Sequence, residues 1–365
     1  MLEEENENSK LLLYKSCQEL KAEFSELKTA QNVARMLEVS YDRLVYHIYK
    51  LPNSKKYEQF EVSKKSGGLR TISAPSTSLK IIQRKLSQVL YSTYKPNSPV
   101  HGFVPGKNIV TNASQHTNKR FVFNIDLKDF FSSIHFGRVR GIFMARPYEL
   151  PEKAATVLAQ ICCFENQLPQ GAPTSPVVSN MVCARLDSEL KRLAKNLRCT
   201  YTRYADDITF STTLPQFPIA LASVEIDEKS SKSTVNLGNR LALIIQDNGF
   251  EVNYKKVRLQ HQSHHQEVTG ITVNKFPNVK RSFIREISSM LYVWEKHDLI
   301  SAHKRYSEKQ AKELGISQEE VPFFSDVIRG KINFLGMVRG KNDDIYLKFL
   351  HQYRQLSEEQ IVAEE

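Results

Sequence analysis

The chain has few of the features that mark a disulfide-stapled, zinc-bound or membrane-embedded protein. It carries five cysteines: Cys17, Cys162, Cys163, Cys183 and Cys199. The count is odd and there is no CxxC pair, so neither a disulfide framework nor a zinc site is indicated. Reduced thiols in a cytosolic protein are the simplest account. No apolar run reaches the length that spans a bilayer. Met1 is followed by Glu3, Glu4, Glu5 and Glu7, so no signal peptide is expected and the expected location is the cytoplasm. The cluster His261, His264 and His265 lacks acidic or cysteine companions at ligand spacing and reads as a solvated loop. No internal repeat or low-complexity tract stands out.

What is present is enough for a core. The 365 residues leave room for two or three packed domains, and 41% are hydrophobic. Net charge is +11, from 51 Lys and Arg against 40 Asp and Glu, and the pI is about 9.2. That modest basic excess fits a polyanionic partner and, equally, a solvated basic surface.

Residues 1–50 read as a helical extension, with Ser40 as an N-cap and a helix–turn–helix flavour best explained by structural packing. Tyr57 to Val62 and Leu69 to Ile72 flank Ser66-Gly67-Gly68 as a hairpin. Leu79 to Tyr94 is an amphipathic helix with Leu79, Ile82, Leu86, Val89 and Leu90 on one side. A Pro/Gly loop at 168–176 opens a helix to about 197. Residues 212–238 break the pattern and read as a surface insertion. Asn239 to Asn248 is a helix stopped by Gly249. From Ser282 onward the chain is helical and basic.

Two apolar strands end on aspartates. Phe121-Val122-Phe123-Asn124-Ile125 leads to Asp126, and Tyr201 to Phe210 forms a hairpin turning at Asp206-Asp207. Carboxylates at the ends of apolar strands resist burial and repel one another, and a cation offsets that cost. Hard oxygen ligands suit Mg²⁺, and two such ions clamp the attacking and leaving oxygens of a phosphoryl transfer. A lone Asp-Asp turn is usually a solvated loop. A second strand-terminal aspartate upstream makes the constellation far more specific.

These residues resemble a reverse transcriptase, in the family's motif order from about residue 66 to about 275. Asp126-Leu127-Lys128-Asp129-Phe130-Phe131 resembles the first catalytic motif. Leu168 to Pro176 resembles the loop that shapes the nucleotide pocket. Tyr204-Ala205-Asp206-Asp207 resembles the signature box. The resemblance implies an α+β right-hand polymerase fold: fingers and palm over 51–275, a helical RNA-binding thumb over 276–365, and the N-terminal extension. It implies Asp126, Asp206 and Asp207 as catalytic, holding two Mg²⁺ ions with the Leu127 backbone carbonyl. Arg70 is then the triphosphate cation, chosen over Lys64 and Lys65 because guanidinium matches phosphate geometry. Phe131 is the steric gate that excludes a 2′-OH, with Phe130 as its core neighbour. Gln170 and Gly171 lie beside the nucleotide, small residues there leaving room for base or sugar, and Lys256 is either a general acid for pyrophosphate or a surface lysine.

Asn112-Ala113-Ser114-Gln115-His116 paired with Val268-Thr269-Gly270 resembles the bacterial retron members of the family. Asn112 and His116 are read either as RNA contacts or as a local hydrogen-bonded pair, and Val268, Thr269 and Gly270 as the primer grip. Arg285, Lys331, Arg339 and Lys341 are thumb candidates for RNA, recognised through shape and backbone. Tyr292 and Trp294 are read as either stacking or core-packing residues, with core the commoner place for a tryptophan. By the same resemblance the enzyme uses deoxynucleoside triphosphates to copy part of its own non-coding RNA. Synthesis starts from an internal 2′-OH and gives a branched RNA–DNA, multicopy single-stranded DNA. An effector protein from the same locus, a host RNase H and a role in anti-phage defence are implied, with no membrane partner. The alternatives are a group II intron-like or other defence-associated reverse transcriptase, and a non-catalytic RNA-binding scaffold.

Overall fold

Three largely buried strands side by side make the centre of the chain. In a computed structural model, which describes residues 12–63, 67–226 and 233–364, the hairpin β1 (Tyr57–Ser63) and β2 (Leu69–Pro75) pairs Tyr57 with Pro75 through Ser63 with Leu69. Strand β3 (Phe121–Asp126) is buried along nearly its whole length. It lies in a four-stranded sheet of order β4-β5-β3-β8, with β4 at Thr200–Tyr204, β5 at Asp207–Thr212 and β8 at Arg258–His261. Leu11, Lys64, Lys65, Ser66 and residues 227–232 lie outside the described residues.

The chain divides into two units. The first comprises the described part of Met1–Asn108 together with Phe123–Leu259. Its N-terminal helices are well capped: Ser16 and Glu19 form a capping box on Cys17–Ser25, and the Ser40 side chain accepts from the Arg43 amide on Tyr41–Val45. Leu20, Phe24, Val33, Leu44 and Ile48 of these helices share one core with Leu86, Phe123, Leu158 and Phe210. The extension expected over 1–50 is therefore part of the same packed body. The Thr77–Thr93 helix buries Leu79, Ile82, Leu86, Val89 and Leu90. The expected helix after 176 is two helices, Ser175–Val182 and Ala184–Asn196.

The segment read as an insertion is anchored. Strands β6 (Ala222–Ile226) and β7 (Ser233–Leu237) pair antiparallel, and Leu221 and Ala222 are buried in the first unit's core.

The second unit comprises Ile109–Val122 and the described part of Gln260–Glu365. A two-residue ladder, β9 (Glu267–Val268) and β10 (Ile271–Thr272), packs with the Arg281–Lys296, Phe324–Arg339 and Asp344–Glu364 helices. Val268, Ile271 and Val273 join Ile287, Leu291, Ile328 and Leu335 in its core, with Trp294 buried beside them. Residues 260–275 thus group with the C-terminal helices instead of the preceding segment, because their apolar side chains point into that core. The architecture is α+β. Among the described residues no helix is long and apolar enough to cross a membrane.

Candidate active site

The β4–β5 hairpin pairs Tyr204 with Asp207, leaving Ala205 and Asp206 as a two-residue turn. Ala205 has φ 57°, a left-handed conformation that a non-glycine residue holds only when its surroundings fix it. They do. Arg203, fully buried, donates from Nη1 to the Ala205 carbonyl at 3.0 Å. Its Nε and Nη2 grip the two oxygens of Asp187, each at 2.7 Å, and Nη2 also reaches Asn180 Oδ1 at 3.0 Å. The Tyr201 hydroxyl donates to the same carboxylate at 2.7 Å. A forked, fully hydrogen-bonded pair is the form in which buried charge is tolerated. Gly102 closes the other side: a Cβ there would sit 2.4 Å from the Ala205 nitrogen.

The turn meets the end of β3 through the Leu127 amide, which donates to the Asp206 carbonyl at 3.1 Å. Asp126, Asp206 and Asp207 are thereby brought together. Asp126 is buried, Asp206 half-buried and Asp207 exposed at its edge. Desolvation first, and then the charge of Asp126, hold the Asp206 carboxyl above its usual range. Asp207 is pushed up to about 7 by desolvation, then by Asp206 and Asp126. Lys256 Nζ stands 2.7 Å from Asp126 Oδ2, and Asn253 Nδ2 donates to Oδ1 at 3.0 Å. Burial alone would lower the lysine; its hydrogen bond to Asp126 and the charges of all three carboxylates outweigh that and raise it.

Among the described residues no three His, Cys, Asp or Glu side chains form a ready-made metal cluster. The donor set is nonetheless all hard oxygen, and two of the carboxylates are unfavourably charged at neutral pH. That is the chemistry a divalent cation relieves, so Asp126, Asp206 and Asp207 fit one at an open site.

The other expected residues fall into place unevenly. Arg70 is exposed on β2 opposite Val62, and its charge reaches Asp206. The Gln170 carbonyl accepts from the Ser73 amide at 2.8 Å. Gly171 has φ 131°, and a Cβ there would lie 2.6 Å from the Ser73 carbonyl oxygen. Its small size accommodates the backbone of β2, a constraint different from the room for base or sugar read from the sequence. Phe131 is half-buried, its ring 5.2 Å from Phe130 and 6.1 Å from Phe103.

In the second unit, Asn112, His116 and Val268 are each 0% exposed. Asn112 Nδ2 lies 3.5 Å from Thr269 Oγ1, which donates to the Ile109 carbonyl at 3.3 Å. Thr269 and Gly270 both have positive φ and make the β9–β10 turn. The two motifs thus form one packed assembly in which Gly270 is exposed and Thr269 partly so. Arg339 is bonded internally to Asn278 and Asp343, and Lys331 pairs with Glu286 at 2.9 Å; Arg285 and Lys341 are exposed.

Sequence reasoning missed Arg203, Asp187, Asn180, Asn253 and Gly102. No local signal marks them: Arg203 stands among threonines and tyrosines in β4, and its acidic partner lies on a helix earlier in the chain.

The chain is 35% identical to the Retron Mx65 reverse transcriptase of Myxococcus xanthus, over 76% of this chain and 66% of that one. It is 31% identical to the Retron Mx162 enzyme of the same organism, over 73% and 59%. It is 32% identical to the Retron Ec86 enzyme of Escherichia coli, over 60% and 64%. It spans less than two-thirds of the length of each of these curated relatives. A telomerase structure from Candida albicans with a telomeric RNA fragment aligns over 82% of this chain and 63% of that one, with a TM-score of 0.43 at 9% identity; nothing about function follows from so loose an overlay. The model of the family described as reverse transcriptase (RNA-dependent DNA polymerase) matches residues 62–273, the span that holds the three aspartates, the turn and its arginine brace. The chain belongs to the reverse transcriptase family.

Proposed function

We propose that this chain is an RNA-directed DNA polymerase of retron type. The carrying observation is the seating of Asp126 against the Asp206 turn through the Leu127 amide. On this reading Asp126, Asp206, Asp207 and the Leu127 carbonyl hold two Mg²⁺ ions. Such ions supply the positive charge that favours attack by a hydroxyl and departure of pyrophosphate. The protein's own groups do the rest. Arg70 binds the triphosphate, Phe131 lies under the sugar, and Gln170 and Gly171 flank the nucleotide. Lys256 keeps the carboxylates partly neutralised before substrate arrives and then donates a proton to the leaving phosphate.

The retron relatives support the retron type, and the finer reading adds that a cognate structured RNA is copied in part from an internal 2′-OH primer, giving a branched RNA–DNA for anti-phage defence with an effector protein and host RNase H, in the cytoplasm. In this scheme the fingers and palm, expected over 51–275, give way to the thumb near residue 260, where the chain joins the C-terminal helical core. The loop of Val268, Thr269 and Gly270, braced by Asn112, supports the primer with His116 buried nearby in the chain, and Arg285, Lys331, Arg339 and Lys341 serve the thumb's RNA surface.

The test is to purify the protein from cells carrying its native locus, with and without Asp206→Asn, and sequence the bound nucleic acid. Covalently joined RNA and DNA with the wild type, and RNA alone with the variant, are expected. DNA synthesis by Asp206→Asn would remove the site assignment.

A further inference from the structure

Residues 98–107 form a strut along the catalytic turn. Val100 bridges to Arg203, the Arg203 amide donates to the Pro99 carbonyl at 3.0 Å, and the His101 amide donates to the Arg203 carbonyl at 2.9 Å. Lys107 Nζ ties the loop back, donating to the Ser98 and Val100 carbonyls at 2.7 Å each. Gly102 lies flat against Ala205, and Asn180 Nδ2 holds its carbonyl at 2.9 Å. The next residue, Phe103, has φ 58°. A bulky side chain in the left-handed region is strained, and such strain persists only where the surroundings over-determine it.

From this backbone the Phe103 ring lies beside that of Phe131, with centroids 6.1 Å apart and planes tilted by 46°. On its other side Phe131 meets Phe130 edge-on at 5.2 Å, and Phe130 stacks on Phe250 at 5.7 Å. Phe250 is capped in turn by the Arg138 guanidinium, 4.6 Å from its centroid. Phe131 therefore has two aromatic neighbours and remains partly exposed. A gate excludes a 2′-OH only as firmly as its ring is held. With Phe103 gone, χ rotation of Phe131 into the vacated space opens room for the hydroxyl.

We propose that Phe103 is a specificity-determining residue for the sugar of the incoming nucleotide, acting by positioning Phe131. This rests on the reading of Phe131 as the gate. Because Gly102 touches the catalytic turn and Phe103 the gate ring, one short segment sets both the carboxylates and sugar discrimination.

The experiment uses the full chain with oligo(dT) primed on poly(rA), comparing kcat/KM for dTTP and UTP. Phe103→Gly removes the ring and relieves the backbone, so folding is not penalised by φ. It is expected to raise the UTP-to-dTTP ratio about tenfold, the scale of a lost apolar contact in a discriminating pocket. Phe103→Tyr restores a ring and should return the ratio to the wild-type value. Phe131→Ala separates the two claims. If it raises the ratio and Phe103→Gly does not, the Phe103 proposal is overturned while the gate stands. If neither raises it, the gate reading fails and this inference with it. An equal fall for both nucleotides in Phe103→Gly, with no change in ratio, also overturns it.

Discussion

Arg203 holds the carbonyl of Ala205, two residues along its own chain, at 3.0 Å while Asp187 occupies the rest of its guanidinium. The buried pair thus fixes the backbone of the residue immediately before Asp206. Lysine at 203 keeps the charge but cannot reach Asp187, Asn180 and Ala205 together. We expect Arg203→Lys to cost about 3 kcal/mol of stability, the scale of a broken buried pair. Where the variant is still folded, kcat should fall roughly 10²-fold with KM for nucleotide little changed, as for a misplaced reacting group. An unaltered kcat at a temperature where circular dichroism shows it folded would assign Arg203 to stability alone.

Lys256 pairs with Asp126, which places its ammonium group beside the carboxylates where a proton donor to pyrophosphate would have to stand. Its half-exposed side chain is tethered at 2.7 Å. A proton donor should contribute about 10²- to 10⁴-fold in rate. Lys256→Ala is expected to lower single-turnover incorporation within that range and leave RNA affinity unchanged. A loss below about threefold would return Lys256 to a surface role.

Acid should loosen the strut beside the turn. Burial first, and then the charge of Lys107, lower the His101 imidazole to about 4. In the unfolded chain it titrates near ~6.5. Between those values the unfolded state binds the extra proton, so this contribution is complete above the unfolded pKa and is lost as pH falls toward 4. The loss reaches about 3 kcal/mol from the size of the displacement. Asp207, raised to about 7, acts in the opposite sense over much of the same range. The readout is therefore the difference between wild type and His101→Gln. Urea midpoints should show wild type losing more stability than the variant from pH 7 to pH 5, and parallel losses would contradict the assignment.

The three aspartates were legible because Asp126 ends an apolar strand and Asp206-Asp207 sit at a tight turn between two strands, a local and costly pattern. Ser40 was legible as a cap for the same local reason. Arg203 and Asp187 were not, since their pairing joins a helix to a strand and neither residue is unusual where it stands. Gly171 was noticed for its size, but its actual neighbour, the Ser73 carbonyl, belongs to a hairpin nearly a hundred positions earlier in the chain. The β6–β7 hairpin was obscured by polar residues between its strands. The second unit's composition was hidden most deeply. Its core joins Ala113 and Val122 to Val268 and Ile287, and no periodicity within either segment announces the other.

Arg339 and Lys341 look alike in sequence and differ in the fold. Arg339 is bonded to Asn278 at 2.8 Å and to Asp343 at 2.7 Å, with its guanidinium 5.3 Å from the Phe276 ring. Its ion pair is mostly shielded from solvent, whereas Lys341 is exposed. Truncating Arg339 removes the charged donor to Asp343 Oδ2 and one of the two donors to Asn278 Oδ1, so Arg339→Ala should cost about 1–3 kcal/mol, the scale of a lost hydrogen bond to a charged group. Lys341→Ala should leave the melting temperature unchanged. If Lys341 touches phosphate, its loss weakens RNA binding and reduces the slope of log affinity against log salt by roughly one contact. Filter binding of the RNA across a salt series, alongside melting curves of both variants, distinguishes the two roles. A salt slope altered by Arg339→Ala, with stability intact, would reverse the assignment.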